Sequence, residues 1–460
     1  MLDSDNSWLR RAEALLGSDW REYLDDDRIA AALRRDAEAT RAFLEHTLGL
    51  EEARRIVEDL GDGQLDRGIF WTRPDPALPE IILLHGVLAG HLANQGPLRT
   101  RVWLNPATFV LGDVAEKLRL RPDGLTDAYE DLTLQPDGHL WIVYGGAARR
   151  WRKAGLVVHE FSYDWRKSVE HSAERLHHFI ETLHAERPGR RFALVAHSMG
   201  GLVAAAYADR HARWERRVQQ AVLLGAPLGG SYAVVEAVTG TWLVLRVLAL
   251  VSHNDDLPDL RASAASYPGL LEMLPSPALF SDAGRVYARE AWPDDHPGVA
   301  PAQRWLDHSL ALKERLLESP LLQRTSAIVS GDHGTVSSLA VDRRGRVAAG
   351  PPEADAGDGT VPLASAAVAG VQRRFAVGCR HEEMMRDDAV LDAVRGLLQE
   401  GRCDLPQIEA GTVAAGPVMA PPRVDEATEA LVDRVRRRLR RGDPRPADLL
   451  FLLDPLRGLG

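Results

Sequence analysis

Cysteine is almost missing from this 460-residue chain, with only Cys379 and Cys403 present. Two thiols cannot staple a disulfide scaffold, so the fold must rest on a hydrophobic core, and a reduced intracellular compartment is expected. The opening residues, Met1-Leu2-Asp3-Ser4-Asp5-Asn6-Ser7, carry no apolar signal core, which points to the cytoplasm. Positive charge is not in excess either. A net charge of −10 and a pI near 5.9 give no general attraction to nucleic acid, and no nucleic-acid partner is expected. Long uncharged apolar runs are also lacking: the most apolar stretch, Val234 to Val251, is interrupted by Glu236 and Arg246, which argues against a clean membrane span. No internal repeat stands out. The pair Asp332-His333 resembles part of a ligand set, but no second cluster completes it, so neither a metal nor another cofactor is expected.

What is present is a hydrophobic fraction of 45%, enough to bury one large core or two modest ones. Its most informative segment is Ala196-His197-Ser198-Met199-Gly200-Gly201. It follows the apolar run Arg191 to Val195 and precedes the small-residue, helix-prone stretch Leu202 to Ala208. A strand, a tight turn with serine at its apex and a helix resemble the nucleophile elbow of an α/β-hydrolase. Such a turn strains the serine backbone, so the residues two before and two after it must be nearly free of side chain; Ala196 and Gly200 are. The Met199 amide then lies at a helix N-terminus, where it can donate to a developing oxyanion.

A nucleophilic serine needs a base, and the base needs an orienting acid, in the chain order Ser, Asp or Glu, His. Thr325 to Ser330 reads as a buried strand, followed by a long polar stretch ending in Gly357-Asp358-Gly359-Thr360-Val361-Pro362. Glycines on both sides of Asp358 permit a sharp turn that aims its carboxylate inward. Arg373 to Val377 reads as the last strand, and His381 follows it. The other half of an oxyanion hole is expected after the strand Pro79 to Leu84, in His85-Gly86-Val87-Leu88-Ala89-Gly90. Gly86 lets that loop turn so that the amide of Val87, or of Leu88, points at an acyl oxygen. His85 is read as support for the loop rather than as a second base. Asp164 precedes the serine, and a structural role beside Arg166 is expected for it.

Taken in order, these segments resemble the lecithin:cholesterol acyltransferase family, which includes lysosomal-type phospholipases A2. The likeness spans roughly residues 78 to 398. Its most specific element is Tyr163-Asp164-Trp165-Arg166; Arg101 to Asn105, Leu224 to Ser231, Leu271 to Ser276, Gly357 to Pro362 and His381 add to it. His85 stands where the family has proline, and Ala196 where its elbow has the first glycine. The resemblance implies an α/β-hydrolase fold with a mostly parallel central sheet, and acyl-ester hydrolysis or acyl transfer on glycerolipids or phospholipids.

The organisation expected is a helical N-terminal extension (1–65), a catalytic domain (66–400) and a C-terminal segment (401–460). About 160 residues separate Ser198 from Asp358, which leaves room for a helical cap over roughly 232–320. Residues 1–65 read first as a packing appendage, with a protein-partner module as the sharper alternative. Gly411 to Pro422 reads as a linker. Beyond it, 424–453 combines a basic amphipathic helix with an apolar tail, either a solvated face or a contact with anionic membrane. Two rival functions stand beside the hydrolase: a partner-regulated lipase effector, and a non-catalytic binding protein on the same fold.

Overall fold

The computed structural model describes residues 25–48, 50–60, 74–95, 100–104, 113–252 and 255–409, with single positions at 14, 16 and 437. In chain order the elements are α1 (Asp26–Arg35), α2 (Ala37–Leu48), α3 (Leu50–Leu60), β1 (Glu80–Leu84), β2 (Gly90–Asn94), α4 (Val114–Leu118), β3 (Leu134–His139), α5 (Trp141–Lys153), β4 (Val158–Phe161), α6 (Val169–Glu186), β5 (Phe192–His197), α7 (Gly200–Arg210) and β6 (Val218–Leu224). Next come α8 (Ala233–Thr239), α9 (Leu243–Val251), α10 (Leu257–Ala264), α11 (Pro268–Leu271), α12 (Gln303–Leu317) and β7 (Thr325–Val329). The short strands β8 (His333–Val336), β9 (Leu339–Val341), β10 (Val347–Ala349) and β11 (Pro352–Gly357) lead to α13 (Leu363–Ala366), β12 (Arg373–Ala376) and α14 (Asp388–Gln399).

Six parallel strands form the central sheet in the order β12-β7-β6-β5-β1-β4. Strand β1 is buried at every position, and after Glu80 its residues Ile81 to Leu84 form an apolar run because both faces are covered. Side chains alternate: Ile82, Leu84, Leu194 and Ala196 pack under α6, α7 and α12, while Ile81, Leu83, Ala193 and Val195 pack under α5 and α14. From β1 the chain crosses to β4 on one side, then returns to β5 on the other. Between β1 and β5 the direction of winding reverses, and ligand crevices in open α/β sheets lie outside the carboxyl ends at such a point. The register levels these ends: Leu84 is opposite Ala196, His197 opposite Leu224, Leu224 opposite Ile328, and Val329 opposite Ala376. Loops that leave β1, β5, β6 and β12 therefore meet on one rim.

Several expectations need refinement. The apolar stretch Val234 to Val251 is not one helix: α8 ends at Gly240, whose φ of +82° reverses the chain, and α9 starts at Leu243. Among the described residues no helix is long and apolar enough to cross a membrane. The polar stretch before Asp358 folds into two antiparallel ribbons, β8 with β11 and β9 with β10. These strands are too short for alternation to show. The Asp342 carboxylate makes the tip between β9 and β10 by accepting from the amides of Arg344 and Arg346. Residues 401–409 begin along the outer edge of the sheet, where Ala376 donates to Pro406 and Ile408 to Arg374, covering an otherwise open strand. Gly61-Asp62-Gly63, the linker at 411–422 and the basic segment at 424–453 lie outside the described residues, Arg437 apart, which is helical.

Helices α1 to α3 close a small core of their own around Ile29, Leu33, Phe43, Leu44, Ile56 and Leu60. It docks on α5 through Asp26, which accepts from Trp141 Nε1 at 2.5 Å and from Arg149 at 2.5 Å. Asp26→Ala should loosen this contact by about 1–3 kcal/mol. Amide exchange across residues 26–60 should then speed up while that in β5 and β6 stays unchanged; equal acceleration in the sheet would mean that the helices are integral to the main core.

Candidate active site

Ser198 sits between β5 and α7 with φ +54°, one of few non-glycine residues in the left-handed region. Such a backbone costs about 1–3 kcal/mol and persists only where neighbours hold it. Here its amide donates to Leu224 at 2.9 Å, and its carbonyl accepts from Gly201 at 2.9 Å. Small residues are needed around it. A Cβ on Gly200 would lie 2.8 Å from the His85 carbonyl, and one on Gly86 would lie 2.9 Å from Ser198 Cβ. The end of β1 and the elbow are thus in direct contact.

The structure brings the predicted acid and base together with this serine. His381 Nε2 lies 2.9 Å from Ser198 Oγ, and its Nδ1 lies 2.8 Å from Asp358 Oδ2. The other carboxylate oxygen, Oδ1, accepts from the amides of Thr360 at 2.9 Å and Val361 at 2.7 Å. The His381 amide donates to the Asp358 carbonyl at 2.9 Å, so backbone and side chain tie the two loops together. Burial works against a charged His381 ring, but the charge and hydrogen bond of Asp358 outweigh it and raise the imidazole above its ordinary value. Gly225, at φ +55° after β6, closes the site from below. A Cβ there would lie 2.9 Å from both Asp358 Oδ2 and His381 Nδ1.

The loop after β1 is fastened by aromatic side chains. Tyr144 accepts from the Gly86 amide at 2.9 Å, Tyr163 donates to the His85 carbonyl at 2.6 Å, Trp103 to Leu88 at 2.6 Å, and Trp165 to Gly90 at 3.1 Å. Leu88 takes φ +62° within this frame. Ala89 donates to Gly86 at 3.3 Å. Among the described residues, no protein acceptor faces the amide of Val87 or that of Met199. His85 uses both ring nitrogens locally: Nδ1–H donates to Gly86 at 2.7 Å, and Nε2 accepts from the Tyr163 amide at 3.2 Å. Complete burial pushes its pKa well down, so the ring is a neutral strut. Asp164 is likewise engaged. Arg166 grips it with two bonds of 2.9 and 2.7 Å, and also reaches Asp127 at 2.7 Å. All three side chains are buried. Removing one partner from such a cluster typically costs about 3–5 kcal/mol.

Tyr144, Tyr163, Trp103 and Gly225 were not assigned roles from sequence. Tyr163, Trp103 and Gly225 lie in quoted motifs, which signal importance but not the contact. Tyr144 lies on an amphipathic helix and reads as core.

No curated protein matches the chain by sequence. Among solved structures it is similar to a chain of the Tle4–Tli4 complex, at 17% identity over 69% of this chain and 97% of that one, with a TM-score of 0.44. It is also similar to the mature lipase BlEst2 of Bacillus licheniformis (15% identity, 72% of this chain, 96% of that one, TM-score 0.33). A third likeness is to the lin2722 product of Listeria innocua (12% identity, 72% of this chain, 97% of that one, TM-score 0.31). The strand-turn-helix at Ser198 on a parallel sheet gives the chain an α/β-hydrolase fold. The family model described as lecithin:cholesterol acyltransferase matches residues 97–297, which hold the Tyr163–Arg166 stretch, the Ser198 elbow and Gly225. Over residues 97–297, the chain is similar to the lecithin:cholesterol acyltransferase family.

Proposed function

We propose that this chain is a serine-dependent acyl-ester hydrolase or acyltransferase acting on glycerolipids or phospholipids, with catalytic residues Ser198, His381 and Asp358. The observation that carries the reading is the unbroken path from Ser198 Oγ through His381 to Asp358. His381 Nε2 takes the proton of Ser198 as Oγ attacks the ester carbonyl, and Asp358 stabilises the imidazolium that results. The amides of Val87 and Met199 hold the tetrahedral oxyanion; both are free of protein acceptors among the described residues. His381 then gives its proton to the departing alcohol, leaving an acyl group on Ser198 Oγ. Water or a second alcohol, deprotonated by His381, removes it and yields a fatty acid or a new ester.

The likeness of residues 97–297 to the lecithin:cholesterol acyltransferase family supports a lipid substrate. The segment between β6 and β7 supports a covered cleft as well: a Cβ on Gly269 would lie 2.6 Å from Met199 Cε and would meet the carbonyls of Lys167 and Trp165. This part of the region 232–320 rests directly on the elbow residue and serves as the base of a cap. On this reading α1–α3 are an appendage to a catalytic domain that spans about 66–400.

Intact-mass labelling with a fluorophosphonate tests the proposal. One adduct per chain is expected on the wild type and none on Ser198→Ala. A wild type that stays unlabelled, with and without anionic liposomes present, would overturn the reading in favour of a binding protein.

A further inference from the structure

A second hydrogen-bonded path runs behind Ser198, and its donors can be assigned in turn. The His381 carbonyl oxygen only accepts, so His197 Nε2, 3.0 Å away, carries the proton. In the neutral ring Nδ1 is then an acceptor, and Tyr144, 2.9 Å away, donates its O–H to it. The Tyr144 oxygen in turn accepts from the Gly86 amide at 2.9 Å. Tyr144, Gly86 and His197 are buried, as is His381. Burial holds His197 at about 3 and raises Tyr144, so neither changes charge near neutral pH.

Each end of this path is one residue or less from a group used in the chemistry proposed above. Gly86 precedes Val87, and tying off its amide leaves the next one free for the oxyanion. The carbonyl held by His197 belongs to His381, the residue whose ring faces Ser198. Resting on that reading, we propose that Tyr144 and His197 are positioning residues, bridging the oxyanion loop and the His381 loop so that both keep a fixed register across the serine. Apolar packing of Tyr144 against the sheet does not require its hydroxyl; the bridge does.

The test uses the full chain with Tyr144→Phe, His197→Gln and His197→Asn, assayed on a soluble short-chain nitrophenyl ester. Tyr144→Phe should lower kcat about 10- to 100-fold, as misplaced oxyanion donors do, with KM within about twofold and a melting temperature lower by only a few degrees, since the buried Gly86 amide and His197 Nδ1 lose a partner. His197→Gln keeps a donor near the Nε2 position and should recover much of the rate; His197→Asn reaches only the Nδ1 position and should not. Unchanged kcat in Tyr144→Phe overturns the proposal. So does an equal loss in the Gln and Asn variants that tracks a lowered melting temperature. Histidine-selective 15N NMR reads the bridge independently of turnover: His197 should be a neutral Nε2–H tautomer whose Nδ1 resonance moves in Tyr144→Phe. If fluorophosphonate labelling fails while this signature holds, the catalytic reading falls and the bridge stands. If labelling succeeds and His197 shows the other tautomer, the bridge alone falls.

Discussion

Turnover of an ester substrate should fall by about 10^4- to 10^6-fold in Ser198→Ala, and by a similar factor in His381→Ala. The double variant should be no slower than either single one. The serine hydroxyl and the imidazole act as one unit: without the base the hydroxyl stays protonated, and without the hydroxyl the base has nothing to activate. What should remain is the catalysis proposed for the amides of Val87 and Met199 and for binding, which neither substitution touches. The fold should survive. Alanine at position 198 carries the same left-handed backbone as serine, with φ +54°, and its amide still donates a hydrogen bond to the Leu224 carbonyl. Ser198→Gly separates strain from chemistry: it should be equally inactive yet more stable by about 1 kcal/mol, because glycine adopts this conformation without a Cβ clash. Steady-state assays with thermal melts check both statements. More than a hundredth of the wild-type rate in Ser198→Ala, after excluding contaminating esterase, would remove Ser198 from the mechanism.

The elbow was legible in the sequence because its small residues, Ala196, Gly200 and Gly201, all stand within three positions of Ser198. The atoms that crowd Gly200 and Gly201 were not legible, since they belong to Leu84, His85 and Ala226 on neighbouring strands and loops. Asp358 and His381 were legible for a different reason, namely that chain order and flanking glycines mark the ends of strands. The contacts that fix them were hidden. Gly225 touches the bond between Asp358 and His381 only because β6 lies beside β7 and ends level with it. Tyr144 reaches Gly86 and His197 from a helix on the far face of the sheet, and no periodicity separates it from the core residues beside it. The two ribbons between Ser330 and Asp358 were missed because three- to six-residue strands give too little alternation to read. Gly240 was not singled out either: Glu236 and Arg246 were read as the interruptions of the apolar stretch, whereas the left-handed conformation of Gly240 is what breaks it.

Asp358→Asn should cost about 10^4-fold in turnover, and the surroundings of this carboxylate say why. Oδ1 faces two amide donors, Thr360 and Val361. An asparagine must put its carbonyl oxygen there, since an NH2 group would meet two N–H groups head-on. Its NH2 is then forced to the Oδ2 position, 2.8 Å from His381 Nδ1, where a donor makes Nδ1 an acceptor and moves the ring proton to Nε2. A protonated Nε2 cannot take the proton of Ser198. The pH profile should change in step. In the wild type, kcat/KM should rise with pH through a midpoint above the ordinary histidine value of about 6.5, because the charge of Asp358 favours the imidazolium and only the neutral ring acts as base. Below that midpoint the rate should drop about tenfold per pH unit. Asparagine removes the charge but leaves the burial, which opposes protonation, so the residual activity should titrate at a lower pH than in the wild type. Loss of rate with an unmoved midpoint would assign the electrostatic role to another carboxylate, and Glu382, whose charge also favours protonation of His381, would be the one to replace next.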